Sequence, residues 1–222
     1  MKTERRIFET IVQFIYNETK NAPHLLVPIS GGSDGAATVK ICNEACPEKT
    51  IAIHAGHELL SRDWFESICP VEFIETPGKA EDAEEMRWGY FLARSLRLKG
   101  RLIGNRNRLE DLLGNYSLAS CVANLLPIVN LWKSEVMDIC EYIGVPEEIR
   151  ASSLRPDPDC GRPPELAAIP FKTIETFLKF QIGEAELEDV SSILDRPEFT
   201  YLVDMYQHNA FKRDLPIRGP RP

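Results

Sequence analysis

Residues 28–35, Pro-Ile-Ser-Gly-Gly-Ser-Asp-Gly, combine a run of small residues with one carboxylate. Ser30, Gly31 and Gly32 let the backbone approach a charged group closely, and N–H groups at the start of a following helix can point at phosphate oxygens. Asp34 would repel phosphate unless it also holds a divalent cation that the phosphates contact. The segment therefore predicts a phosphate-binding loop with a metal-binding carboxylate. A glycine-rich turn with Asp34 as a helix N-cap is the alternative.

The elements that must position this loop alternate between two types. Four β-like runs, at 25–29, 51–54, 71–75 and 102–103, are separated by helical patterns at 35–45, within 58–67 and at 80–99. Such alternation predicts a three-layer α/β/α fold with a mostly parallel, doubly wound, Rossmann-like sheet. Ligands of such sheets bind beyond the carboxyl ends of the strands, where residues 30–35 and 104–111 are expected.

The second half of the chain is predicted to be mainly helical. Helical patterns occupy residues 106–118, 131–143, 171–182, 184–194 and 197–206, and Gly144-Val145-Pro146 is a helix-end signal. Residues 155–164 are too rich in proline and glycine for regular structure and are expected to form an ordered loop or a lid. We expect one domain over residues 1–222, with this loop and a C-terminal helical and tail segment at 171–222.

Composition excludes several classes of function. The 222 residues carry a formal net charge of -8 without a long basic run, which argues against nucleic-acid binding through phosphate neutralisation. No run approaches the roughly 20 apolar residues that cross a bilayer. Six scattered cysteines without a C-x-x-C pair favour reduced, mostly buried thiols, and hence a cytoplasmic protein, over disulfides or a zinc site.

The loop belongs to a series of motifs that resemble one family. S-G-G-x-D after the first strand is similar to the S-G-G-x-D-S loop of the N-type ATP pyrophosphatases. Gly-Asn-Arg-Asn-Arg-Leu-Glu-Asp at 104–111 resembles the G-T-G-N-[KR]-x-E-D segment of ammonia-dependent NAD synthetases. Residues 126–136, 142–146 and 211–216 resemble that family's P-[IL]-x-x-L-x-K-x-x-V, L-G-[VI]-P and H-K-R-x-x-P segments. Because the matches occur in the same order at similar spacing, the chain is identified as a divergent member of this family.

The resemblance implies a chemistry and a set of site residues. ATP with Mg²⁺ would adenylate a carboxylate, deamido-NAD in the family, and ammonia would displace AMP; the nitrogen would come from free ammonia or from a separate glutaminase partner. The implied residues are Asp34 and Lys133 for catalysis; Ser30, Gly31, Gly32, Ser33, Asp34, Gly35, Asn105 and Lys133 for ATP; Asp34 and Glu110 for the metal; and Arg87, Asn124, Lys212 and Arg213 for the acid substrate. Outside this resemblance, Glu110 and Lys133 would be ordinary helix-surface residues.

The departures from the family pattern are uneven. Gly35 and Asn105 replace a serine and a threonine, Glu85 replaces an arginine, Leu118 replaces a lysine, and Asn124 replaces an acidic residue. Most residues aimed at the triphosphate are kept, whereas those aimed at the dinucleotide are changed. A paralogue acting on another carboxylate, or a non-catalytic nucleotide-binding module, is therefore an alternative; a tRNA-thiolating enzyme is disfavoured by the charge and by the lack of paired cysteines.

The resemblance also implies a homodimer, because members of the family associate in pairs through helices. The N-terminal segment presents an apolar face that includes Ile7, Ile11, Phe14 and Ile15. This face would serve either a homodimer interface, which we expect, or core packing within one chain.

Overall fold

A four-stranded sheet forms the centre of the computed structural model, which describes residues 2–56, 58–74, 83–154 and 163–215. Its strands are β1 (Leu25–Ile29), β2 (Thr50–Ala55), β3 (Val71–Ile74) and β4 (Arg101–Leu102), and they lie in the order β3-β2-β1-β4. Every pair in this order is parallel. A parallel bridge between Ile103 and Leu125 continues the pairing just beyond β4.

Eleven α-helices and two 3-10 turns occupy the described residues. The helices are α1 (Lys2–Thr19), α2 (Ser33–Ala45), α3 (Arg62–Glu66), α4 (Ala83–Arg97), α5 (Arg108–Leu113), α6 (Lys133–Tyr142), α7 (Glu147–Ser152), α8 (Pro164–Ala168), α9 (Phe171–Gln181), α10 (Leu187–Val190) and α11 (Pro197–His208). The 3-10 turns span Leu118–Val122 and Ala210–Asp214. Because helices connect the parallel strands, the predicted three-layer α/β/α class is confirmed.

Both faces of the sheet are covered, because successive side chains of β1 pack into clusters on opposite faces. Leu25 and Val27 face a cluster built with α1, α2 and α6, whereas Leu26 faces a second cluster that includes Phe91 of α4. Successive strand residues point to opposite faces, so a strand that is apolar at every position is buried on both sides. A third apolar cluster packs α5, α9 and α11 together around Phe177, away from the sheet.

The position of β1 decides where a ligand can bind. The chain runs from β1 outward to β2 and β3, and then returns to place β4 on the other side of β1. The connections that leave β1 and β4 therefore diverge, and they open a crevice at the carboxyl ends of these two strands.

Most predicted elements are confirmed, with shifts at several boundaries. The strand at 25–29 has the predicted bounds, and the predicted strand at 71–75 ends at Ile74, with residue 75 outside the described ranges. The helix predicted at 106–118 is shorter because Asn107 caps its start and Gly114, at φ 68°, ends it. The predicted helices within 58–67 and at 184–194 are reduced to α3 and α10, and α7 and α8 were not predicted. Most of the predicted loop at 155–164 lies outside the described residues.

The apolar face of α1 is used mainly inside the chain. Ile11 and Ile15 belong to the core, and Ile7 packs against it, whereas Phe14 remains 44% exposed. The described cysteines are free thiols, and four of the five are buried, as predicted. Burial raises the pKa of the Cys140 thiol to about 12. Among the described residues, none of the helices has the length and hydropathy to span a bilayer.

Candidate functional site

A cavity of about 810 Å³ opens at the carboxyl ends of β1, β2 and β4, a volume typical of small-molecule sites. One part of its wall is the loop end, which we define as Ser30, Gly32, Asp34, Gly35 and Asn105. Another part is the tyrosine end, which we define as Glu84, Glu85, Arg87, Arg106, Tyr116 and Lys212. The cavity is thus placed where the sheet topology predicts a ligand.

The loop end turns sharply and then begins α2. Gly31 has φ 87°, a left-handed conformation that favours glycine, and a Cβ added there would lie 3.1 Å from Leu60 Cβ. Gly32 is the N-cap of α2, with no side chain to occupy the helix start. The N–H group of Ser33 donates a hydrogen bond to Ser153 Oγ at 2.8 Å. The start of α2 therefore supplies N–H groups and a positive dipole end to the cavity.

Asp34 is held from two sides by side chains of other elements. Its Oδ1 accepts a hydrogen bond from Asn107 Nδ2 at 2.9 Å, and its Oδ2 is paired with Lys133 Nζ. The Lys133 ammonium also donates to Ser33 Oγ at 2.8 Å and is 6% exposed. A buried ammonium needs such partners to offset its desolvation. The Asp34 carboxylate is therefore fixed at the floor of the cavity by α6 and by the residue that precedes α5.

Asn107 connects Asp34 to Glu110 through a capping box. Its Oδ1 accepts from the Glu110 N–H at 3.1 Å, and its own N–H donates to Glu110 Oε2 at 3.2 Å. The two carboxylates that the sequence assigned to a metal thus share one neighbour, and both line the cavity. Oxygen ligands of this type fit Mg²⁺, which keeps several waters and takes phosphate oxygens as further ligands. No cluster of three or more His, Cys, Asp or Glu occurs within the described ranges.

The two unusual residues of the loop end lie against each other. A Cβ added at Gly35 would stand 3.6 Å from Asn105 Nδ2 and 3.5 Å from Ile29 Cα. Asn105 donates through Nδ2 to the Pro28 carbonyl, so its amide ties the end of β4 to β1, while its Oδ1 is buried without a partner among the described residues. The longer side chain at 105 therefore lies beside the position where a side chain at 35 would be.

The tyrosine end gathers charged groups around one aromatic ring. The Arg106 guanidinium stacks 3.7 Å from the centroid of the Tyr116 ring, and Lys212 Nζ lies 5.2 Å from it. Lys212 Nζ donates to the carbonyls of Gly114 and Tyr116, each at 2.9 Å, and the Tyr116 hydroxyl donates to the Lys212 carbonyl at 2.6 Å. Burial lowers the pKa of Lys212 and raises the pKa of Glu84.

The structure brings most of the sequence-predicted site residues to one cavity. Its lining includes Ser30, Gly32, Asp34, Gly35, Asn105, Glu110, Arg87 and Lys212. Five others, Gly31, Ser33, Lys133, Asn124 and Arg213, are outside the lining. Ser33 is fully buried and, with Lys133, lies behind Asp34. Asn124 pairs with the β4 edge through Leu102, and Arg213 donates to the carbonyls of Leu112 and Tyr206. Substrate binding by Asn124 and Arg213 stays a prediction.

The sequence analysis missed two cavity-lining residues, Arg106 and Tyr116, and one buried residue that holds Asp34, Asn107. Asn107 had a detectable signal, because an asparagine three residues before a glutamate at a helix start is a capping-box pattern. Arg106 and Tyr116 had none, since their stacking depends on how the turn after β4 meets the turn after α5.

Comparison with known proteins identifies relatives over nearly the whole chain. Residues 84–216 match the family model described as NAD synthase. An NH(3)-dependent NAD(+) synthetase of Helicobacter pylori (strain G27) is 28% identical, with 87% of this chain and 86% of that protein covered.

Two solved structures share the fold at lower identity. An NH3-dependent NAD synthetase from Campylobacter jejuni has a TM-score of 0.74 at 20% identity, with 98% of this chain and 99% of that chain covered. An NMN synthetase from Francisella tularensis has a TM-score of 0.74 at 17% identity, with 97% and 98% covered.

Proposed function

Because the chain belongs to the NAD synthase family, we propose that it is an ATP-dependent ligase that converts a carboxylate into an amide with ammonia. In the NAD synthetase reaction, deamido-NAD, ATP and ammonia give NAD, AMP and pyrophosphate. The observation that carries the proposal is the clamped Asp34 carboxylate, which lies beside the start of α2 at the floor of the cavity.

The geometry supports two consecutive displacements. In the first, an oxygen of the substrate carboxylate attacks the α-phosphorus of ATP and pyrophosphate leaves, which gives an acyl adenylate. The positive dipole end of α2 and the N–H groups of its first turn after Ser33, whose own N–H donates to Ser153, stabilise pyrophosphate oxygens as charge moves onto them. In the second, ammonia attacks the acyl carbon, AMP leaves with the bonding electrons, and the nitrogen loses a proton. Holding both reactants in one cavity makes each step effectively intramolecular.

Asp34 and Glu110 are the residues that would hold Mg²⁺, which, when bound, neutralises charge on the phosphate oxygens. Lys133 provides a buried ammonium beside the same carboxylate. Its positive charge, behind Asp34, offsets the repulsion between that carboxylate and the phosphate oxygens. The chain thereby keeps a positive group next to the pyrophosphate throughout the first step.

The tyrosine end is the proposed position of the acid substrate. Arg87 and Lys212 line it, and Glu85 introduces a negative charge where the family has an arginine. Deamido-NAD is the reference substrate, and the negative charge of Glu85 favours the alternative that the chain acts on a different carboxylate.

Free ammonia or a separate glutaminase supplies the nitrogen. A homodimer is the proposed assembly, which light scattering of the purified chain will test.

Substrate-dependent ATP–pyrophosphate exchange tests the proposal. With Mg²⁺ present, deamido-NAD and a panel of other carboxylic acids are supplied one at a time, and AMP release is then measured after ammonia is added. We expect at least one acid to support exchange, and Asp34→Ala to abolish it while the chain stays folded by circular dichroism. Binding of ATP without exchange for any acid would instead identify a nucleotide-binding module.

A further inference from the structure

Arg106 is a cavity residue to which neither the family motifs nor the relatives assign a role. It stands where the G-T-G-N-[KR]-x-E-D pattern has its second glycine, between Asn105 and Asn107. Its side chain is only 12% exposed, yet it lines the tyrosine end. An arginine buried this far normally donates its N–H groups to acceptors, because a buried donor left unpaired loses its hydrogen bonds to water without replacing them.

The Arg106 guanidinium has unmet hydrogen-bonding capacity. Its Nε and Nη1 are buried and have no hydrogen-bond acceptor within the described ranges. The Asp111 carboxylate lies 3.2 Å from Nε, but without hydrogen-bond alignment. The tyrosine end therefore holds a cation that its protein neighbours only partly satisfy.

A second cation strengthens the demand for an anion. Lys212 lies near the same Tyr116 ring, and its ammonium donates hydrogen bonds to two neutral carbonyls. Burial is the main cause of the lowered pKa of Lys212, and the nearby positive charge of Arg106 lowers it further. The carboxylates at this end are Glu84, whose pKa is raised by burial, and Glu85.

The location of Arg106 also fits the departures from the family pattern. The family's cations are absent at two positions, where this chain has Glu85 and Leu118. Glu85 lines the cavity, whereas Leu118 is 49% exposed on the 3-10 turn that follows Tyr116. The chain thus has fewer cations from the usual positions and gains one, at 106, in the same cavity.

We propose that Arg106, supported by the Tyr116 ring, binds a phosphate group carried by the carboxylic acid substrate. A small rotation of the guanidinium on the ring turns its unpaired N–H groups to phosphate oxygens, in the planar bidentate geometry for which arginine is suited. The phosphate is supplied either by a mononucleotide acid or by the pyrophosphate of a dinucleotide. This inference rests on the proposed function, because it assumes that the acid occupies the tyrosine end.

Calorimetric binding of three acids to the full chain tests the proposal. The probes are nicotinate mononucleotide, deamido-NAD and nicotinate riboside, which has no phosphate. Arg106→Met removes the charge and Arg106→Lys keeps it without the bidentate fork. Arg108→Met is the matched control: Arg108 stacks 4.6 Å from the Trp132 ring and pairs with Glu184 at 2.6 Å, away from the cavity lining. Thermal melts confirm that each variant folds.

We expect Arg106→Met to weaken binding of a phosphorylated acid about 10- to 100-fold, which is the loss of one charged hydrogen-bonding group. Binding of the riboside and of ATP should change by less than about threefold, and Arg106→Lys should fall between Arg106→Met and the wild type. The acid that shows the larger loss identifies the mononucleotide or the dinucleotide as the source of the phosphate.

Equal losses for the riboside and the phosphorylated acids, or no loss for either phosphorylated acid, would overturn the assignment. An equal loss in Arg108→Met would also overturn it, since that residue is remote from the cavity. Because binding is measured without turnover, an Arg106-dependent phosphate preference in a chain that shows no ATP–pyrophosphate exchange would uphold this site while rejecting the proposed reaction.

Discussion

The loop end and the tyrosine end of the cavity differ in how their charged groups are paired. At the loop end, each oxygen of Asp34 has a protein donor, and the buried Lys133 has two acceptors. At the tyrosine end, Arg106 and Lys212 approach one ring, and two N–H groups of Arg106 lack acceptors among the described residues. The charged groups at the loop end are thus paired within the protein, whereas the tyrosine end has a cation that could bind an anion.

This difference follows the sequence departures. The family residues at the loop end are mostly kept, and the two that change, at positions 35 and 105, lie beside each other. The changes at 85 and 118 reverse or remove charge at or near the tyrosine end. We infer that nucleotide chemistry constrains one end tightly, while the other end can be adapted to a new acid.

The largest effect is expected from Lys133→Met, which breaks the balance of the loop end. The variant leaves Asp34 without its ammonium, so we expect a loss of about 2–4 kcal/mol in the free energy of unfolding and a fall in kcat of about 100- to 1,000-fold. Lys179→Met is the control, because Lys179 lies 5.0 Å from the Trp132 ring and away from the cavity. If kcat falls for one acid only, Lys133 belongs functionally to the tyrosine end instead.

Asn107 variants separate the helix cap from the link to Asp34. Asn107→Ala loses both, so we expect about 1 kcal/mol less stability and a fall in kcat of about tenfold or more. Asn107→Ser restores a capping oxygen but is too short to donate to Asp34, and it should recover stability without activity. Denaturant unfolding and exchange rates measure the two effects, and joint recovery in the serine variant would show that Asn107 acts only as a cap.

Glu85→Arg tests whether the tyrosine end has diverged in charge. Restoring the family's cation should lower the KM for deamido-NAD about fivefold, as expected for roughly 1 kcal/mol of added interaction. Glu85→Gln separates removal of the negative charge from addition of a positive one and should give a smaller gain. A rise in the KM for deamido-NAD in both variants would show that Glu85 is needed for a different substrate.

Gly35→Ser tests the packing of the loop end. A Cβ at 35 meets Asn105 and Ile29 at ordinary contact distance, so the added hydroxyl is expected to compete with the Asn105 amide. We expect about a twofold change in ATP affinity for Gly35→Ser, and a larger gain when it is combined with Asn105→Thr. Additive effects in the double-mutant cycle, measured by calorimetry, would show that the side chains at positions 35 and 105 do not affect each other.

Glu72→Gln is a reference variant for the effect of an ion pair that lies outside both the loop end and the tyrosine end of the cavity. Arg94 donates two hydrogen bonds to Glu72 and thereby holds the pKa of that carboxyl below its usual range. A lowered folded-state pKa gives stability that is present above the unfolded pKa and is lost as pH falls through the folded value. Because the pair is about one-third exposed, we expect about 0.5 kcal/mol at pH 7. In unfolding titrations the difference should shrink as pH falls below the unfolded-state pKa and disappear below the lowered folded-state pKa, with no change in substrate affinity at pH 7.

The sequence was sufficient where local patterns determine structure. The apolar run at 25–29 can only be a strand buried on both faces, and the small residues after it can only be a tight turn. It was insufficient where the partner is distant along the chain. The acceptors of Lys212 lie 96 and 98 residues away, and the contact between Lys133 and Asp34 spans 99 residues. Such contacts depend on the packing of whole elements, which motif spacing does not encode.

The reciprocal bonds between Tyr116 and Lys212 have a consequence for the order in which the cavity is made. The loop end and the Tyr116 ring are translated long before Lys212, and the N-terminal part of a chain folds first during synthesis. A nascent chain therefore acquires its phosphate-binding loop while one wall of the substrate compartment is still missing. A chain that stops before position 212 would retain the nucleotide-binding loop but would lack the hydrogen bonds between Lys212 and Tyr116 at the wall of the acid compartment.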